Sequence, residues 1–105
     1  MTQEDKDLLL KDLSARLPYR PIVYVNENLP RLKLGVATRV WEYVAVDKPC
    51  KPYLRPMSSM TEEERKELTH YDNSLQRTDF FYSHHIDCRY MIKKGLALEA
   101  PEGMY

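Results

Sequence analysis

Leucines recur every four residues at the start of the chain: Leu9, Leu13 and Leu17, with Leu10 widening the stripe and Leu8 at its edge. That spacing predicts an amphipathic helix laid against a core. Thr2 with Asp5 three residues on offers a capping box, and Glu4, Asp5 and Asp7 put negative charge at the positive end of the helix dipole. Pro18 disfavours helical geometry in the residue before it, so the helix is predicted over 1–17.

Beyond Pro18 the period changes. Ile22, Val23, Tyr24 and Val25 read as a first strand, and Asn26, Glu27 and Asn28 as a turn closed by Pro30. From 31 to 46 the apolar residues Leu32, Leu34, Val36, Val40, Val44 and Val46 fall on even numbers, and Arg31, Lys33 and Arg39 on odd ones. Alternation of this kind predicts strand. One continuous strand of that length spans roughly 50 Å, about twice the ~26 Å width of a chain this size, so the stretch must fold back. A two-residue loop at Ala37 and Thr38 sets Trp41 opposite Leu34; a three-residue loop ending at Arg39 sets Val40 opposite Val36; Gly35 offers a bulge instead. A hairpin is expected with its register open, and a sheet over 20–46.

Pro49, Pro52 and Pro56 predict an irregular connector over 47–60. A helical region follows over 61–98. Thr61 and Glu64 form a capping box, and Leu68, Tyr71 and Leu75 continue at helical spacing. Thr78 or Asp79 offers a further cap ahead of Phe80, Phe81 and Tyr82. Asp87 is placed to cap a last helix through Met91, ended by Lys93, Lys94 and Gly95. Residues 99–105 read as a tail. Helix, strands, then helices is an α+β order, expected as a single domain with a small antiparallel sheet.

Composition and charge narrow the function more than they name it. The chain has 105 residues with 43% hydrophobic and 30% charged, a globular balance too short for a multidomain enzyme. Sixteen basic and sixteen acidic residues cancel, which weakens the case for a general nucleic-acid or membrane-surface binder. Residues 18–57 nevertheless carry seven basic and three acidic groups, between acidic flanks. Two cysteines, no long apolar run and no leader pattern predict a cytoplasmic protein with reduced thiols and no membrane partner.

Two constellations could carry chemistry. Arg31, Lys33 and Arg39 beside Trp41 and Tyr43 could form a basic, aromatic sheet face able to hold a single-stranded nucleic acid; the ordinary reading is a solvated face whose cations pair with the acidic helices. His84, His85, Asp87 and Cys88, with His70 upstream, contain zinc-type ligands and a thiol–imidazole pair. Neighbouring histidines on a helix point about 100° apart, and the ordinary reading is a capping Asp87, a buried Cys88 and histidines lining a helix end. With only three glycines, the phosphate-cradling loops cannot be built, and no cofactor is implied.

The segments Met1 to Tyr19, Lys51 to Glu64 (KPYLRPMSSMTEEE) and Gly95 to Tyr105 (GLALEAPEGMY), 44 of the 105 residues, resemble a family of short proteins of anaerobic gut bacteria and their mobile elements. The resemblance implies a bacterial, intracellular setting and a sheet like a truncated SH3-like barrel; it carries no activity and no catalytic residues. The expectation is a non-enzymatic module that binds a protein partner. Nucleic-acid binding through the basic strand region is the alternative, and a thiol or metal enzyme at Cys88, His84 and His85 a remote one.

Overall fold

Thr2 caps the first helix as its spacing to Asp5 predicts. In the computed structural model, which describes all 105 residues, α1 runs from Gln3 to Arg16. The Thr2 hydroxyl accepts the Asp5 N–H at 3.1 Å, and the Asp5 carboxylate accepts the Thr2 N–H at 3.3 Å. Leu9 and Leu13 are fully buried on its inner face, and so are Asp12 and Arg16. Pro18 does not stop the chain abruptly. Leu17–Tyr19 tightens into a 3-10 turn, with Pro18 near its start where no N–H is needed, and Arg20 at φ +54° ends it.

β1 (Ile22–Tyr24) and β2 (Leu32–Lys33) form an antiparallel hairpin with Ile22 opposite Lys33 and Val23 opposite Leu32. Its turn is pinned by the Asn26 side chain, which accepts the N–H groups of Asn28 and Leu29. The hairpin therefore lies one element earlier than expected, and no hairpin occupies 31–46. After Leu34 a turn at Gly35–Thr38 leads into a short helix, α2 (Trp41–Val44).

The misreading has a specific cause. Val40 and Val44 are four apart, a spacing that suits a helix face as well as an alternating strand. Both are buried, whereas Val36 and Val46, which a strand would have turned inward with them, are 76% and 44% exposed.

The proline-rich connector contains a central strand. β3 (Lys51–Leu54) pairs antiparallel with β1, Val23 opposite Pro52 and Tyr24 opposite Lys51. Proline is tolerated because Val23–Pro52 is a pair that needs no N–H from that position. β4 (Leu98–Glu99) then pairs parallel with β3, Tyr53 opposite Leu98. The sheet order is β2-β1-β3-β4. It is mixed, not purely antiparallel, and open, with β2 and β4 as its edges.

α3 (Glu62–Thr69) begins at the Thr61–Glu64 capping box, with both bonds present. α4 (Ser74–Ser83) is capped by Asn73, not by Thr78 or Asp79, which lie inside it. Leu75 is 82% exposed, so the predicted stripe from Leu68 does not continue. Asp87 does cap, accepting the N–H groups of Met91 at 2.8 Å and Ile92 at 3.0 Å. No helix follows, however. His85 and Tyr90 take left-handed conformations (φ +59° and +57°), Ile86 bridges in parallel to Arg55, and residues 88–97 run mainly as turns. Gly95 at φ +77° occupies the left-handed position expected of it.

The result is an α+β molecule of extents 40 × 27 × 27 Å. One core gathers Leu9 and Leu13 from α1, Val23 and Leu54 from the sheet, Val40 and Val44 around α2, and Met91 and Leu96 from the turns. No helix is long and apolar enough to cross a membrane.

Candidate binding face

Alternation along β1 and β3 divides the sheet into two faces. Val23, Pro52 and Leu54 turn into the core, whereas Ile22, Tyr24, Lys51 and Tyr53 stay half-buried on the other side. Leu98 joins that outer face opposite Tyr53. A cleft of about 920 Å³ opens there, floored by Tyr24, Val25, Pro49, Tyr53 and Leu98 with Met1 beside them. Asn26, Glu27, Asn28, Asp47, Lys48 and Lys51 supply its polar lining, in which two lysines balance two carboxylates. The Tyr53 hydroxyl donates to the Pro30 carbonyl at 3.3 Å, tying the floor to the hairpin. This is the most extensive concave surface of the molecule, apolar at its base and uncharged overall, which suits recognition of an apolar or mixed-charge chain more than a polyanion.

The predicted basic-aromatic face does not assemble as one strand surface. Lys33 is exposed on the edge strand β2, and Arg31 is exposed just ahead of it. Arg39 is exposed ahead of α2, with Glu42 3.8 Å from its guanidinium. Trp41 is 57% exposed on α2, the largest apolar side chain left outside. Tyr43 is half-buried and packs against the core, a structural position. The loss of the long strand separates Arg31 and Lys33 from Arg39, Trp41 and Tyr43 on different elements.

His84, His85, Asp87 and Cys88 scatter. The His84 Nδ1 lies 3.0 Å from Glu64 Oε2, and its ring packs on Phe80 at 4.3 Å between centroids. His85 stacks on Tyr105, Asp87 caps backbone N–H groups, and His70 is exposed at the end of α3. Burial pushes the Cys88 thiol up, with Arg16 pulling down and Asp12 pushing up among its charged neighbours; that is the wrong direction for an activated nucleophile. Cys50 is buried and pushed up to about 11 by desolvation. No group of three His, Cys, Asp or Glu side chains is arranged to hold a metal ion.

Two polar clusters escaped the sequence. Arg55 grips Glu64 with two nitrogens at 2.7 and 2.9 Å and also reaches the Ser59 carbonyl. That bidentate bond holds the Glu64 carboxyl down to about 2 against the opposing pull of burial. The second cluster joins Asp12 and Arg16 of α1 to Tyr82 and Arg89. Asp12 and Arg16 stand at the i,i+4 spacing beside Leu9 and Leu13, the one signal that could have placed them inside.

Comparison of the chain with protein-family models, curated proteins and solved structures yields no match.

Proposed function

We propose that this chain is a non-catalytic binding module that takes a protein partner on the outer face of its sheet. The observation that carries the reading is the cleft over Tyr24, Tyr53 and Leu98, an apolar floor with a balanced polar rim that no element of the chain covers. Trp41, on α2 and outside the cleft lining, offers a separate exposed anchor, because a solvent-facing tryptophan is favoured at protein interfaces. The balanced lining favours a segment with spaced apolar side chains and little net charge over a phosphate backbone. The cytoplasm, where free thiols stay reduced, is the proposed setting, in keeping with the bacterial resemblance of the sequence.

Affinity capture from the native cell tests the reading when the intact chain is compared with Tyr24→Ser/Leu98→Ser. The intact chain recovers one protein in stoichiometric amount, and the variant, its fold verified by circular dichroism, loses it. Equal recovery by both refutes the site. Recovery of nucleic acid that falls off steeply as salt is raised transfers the function to the basic residues instead.

A further inference from the structure

A side-chain hydroxyl completes the ladder between β1 and β3. The pairs Val23–Pro52 and Tyr24–Lys51 set the register, and one further step places Ile22 opposite Tyr53. There the Tyr105 hydroxyl sits between the strands. It accepts the Ile22 N–H at 3.0 Å and donates to the Tyr53 carbonyl at 2.7 Å. The ring lies flat on His85, with centroids 3.6 Å apart and planes within 9°.

The chemistry of that position is selective. One atom must both accept from an amide and donate to a carbonyl, at the tip of a flat ring. A phenyl group does neither, a carboxylate cannot donate and an ammonium cannot accept. The platform is preset as well. His85 is held in a left-handed conformation at φ +59°. Burial, reinforced by Arg16, His84, Arg55 and Lys33, pushes its pKa down to about 4, so the stacking surface is a neutral imidazole near neutral pH.

The occupant is weakly tied down elsewhere. Pro101, Glu102 and Gly103 are exposed, and the one backbone bond of this segment is the local Met104 N–H to Pro101 carbonyl. Tyr105 itself is 39% exposed, so its ring can leave without disturbing the core.

We infer that the seam between Ile22 and Tyr53, floored by His85, is a phenol-binding socket that Tyr105 fills as a tethered ligand and that accepts the tyrosine side chain of another chain when Tyr105 is displaced. The inference does not depend on the cleft over Tyr24 and Leu98. A short tether gives Tyr105 an effective concentration in the ~mM range, so a free phenol competes poorly until that side chain is removed.

The test uses the full chain carrying Tyr105→Ala, with p-cresol as the probe and the Ile22 amide as an NMR reporter. p-Cresol shifts the Ile22 amide saturably in the variant. In the unsubstituted chain the same titration reaches a much smaller fraction of saturation. Toluene, which lacks only the hydroxyl, binds the variant about tenfold more weakly or worse, because it leaves the amide and carbonyl unpaired. An unmoved Ile22 amide, or equal binding of toluene, overturns the socket. Should Tyr105→Ala not fold, Tyr105→Phe carries the test: hydrogen exchange at Ile22 accelerates about tenfold while Tyr24 is unchanged, and unchanged exchange at Ile22 overturns the proposal.

Discussion

Arg16 and Asp12 form an ion pair with no exposed side-chain surface, Nε to Oδ2 at 2.7 Å, on a face of α1 otherwise made of leucine. The guanidinium continues to the Ile86 carbonyl at 2.8 Å and lies 4.9 Å from the centre of the Tyr82 ring. Arg89 approaches the same carboxylate at 3.4 Å and donates to the Tyr82 hydroxyl at 2.7 Å. The first helix and the turn after α4 are thus joined through charge inside the molecule. Tyr19, in the turn that follows α1, adds an outer tie by donating to Asp79 of α4.

Removing half of such a pair strands the other half. Asp12→Ala is expected to cost about 3–5 kcal/mol, because Arg16 remains buried without its counter-ion. The double variant Asp12→Leu/Arg16→Met recovers most of that loss, since the desolvation of both charges disappears with them. Urea midpoints for the two variants check this; a double variant no more stable than Asp12→Ala contradicts it.

Acid should weaken the fold through His85 and Glu64 over two successive pH ranges. His85 ordinarily titrates at 6.5, but its folded pKa is pushed down to about 4, chiefly by burial and then by Arg16. Above pH 6.5 both states are neutral there; as pH falls from 6.5 to 4 the unfolded chain takes up the proton first and stability declines. Glu64 is held at about 2 against an ordinary 4.5, chiefly by Arg55, so its contribution is complete above 4.5 and lost as pH falls toward 2. Urea midpoints measured across pH should flatten over 6.5–4 in His85→Gln and over 4.5–2 in Glu64→Gln.

Asp87→Ala is expected to cost about 1–3 kcal/mol, because the amides of Met91 and Ile92 lose a buried acceptor in a segment with no helix to fall back on. Thermal unfolding reports the loss, and hydrogen exchange places it: Met91 and Ile92 accelerate ahead of Leu9 and Leu13. Uniform acceleration argues against a local role.

Trp41 and Tyr43 should separate binding from folding. Trp41→Ala removes an exposed ring and should change stability by about 0.5 kcal/mol or less, yet weaken capture of the partner. Tyr43→Ala opens a gap beside the core and should cost roughly 1–3 kcal/mol. Equal destabilisation by the two substitutions contradicts the placement of Trp41.

The candidate site was less legible than the fold because it is made by elements distant in sequence. Tyr24 read as an ordinary strand residue and Tyr53 as part of an irregular connector until β1 and β3 pair. Tyr105 read as part of a tail until its hydroxyl is seen between Ile22 and Tyr53, 83 and 52 positions away. The histidine, aspartate and cysteine cluster drew attention by proximity in sequence. The left-handed residue His85 turns the chain between its members, so they face different partners.

What the sequence determined alone was whatever a few consecutive residues can settle. The Thr2–Asp5 and Thr61–Glu64 boxes, the leucine face of α1, the capping by Asp87 and the left-handed Gly95 each depend on groups within a turn or two of one another. Tertiary structure decided the rest. Valines four apart fit a strand or a helix until the core shows which face it needs, and Pro52 enters a sheet because its partner Val23 asks nothing of the missing N–H. Arg16 enters the interior only because Asp12, the Ile86 carbonyl and the Tyr82 ring meet it there.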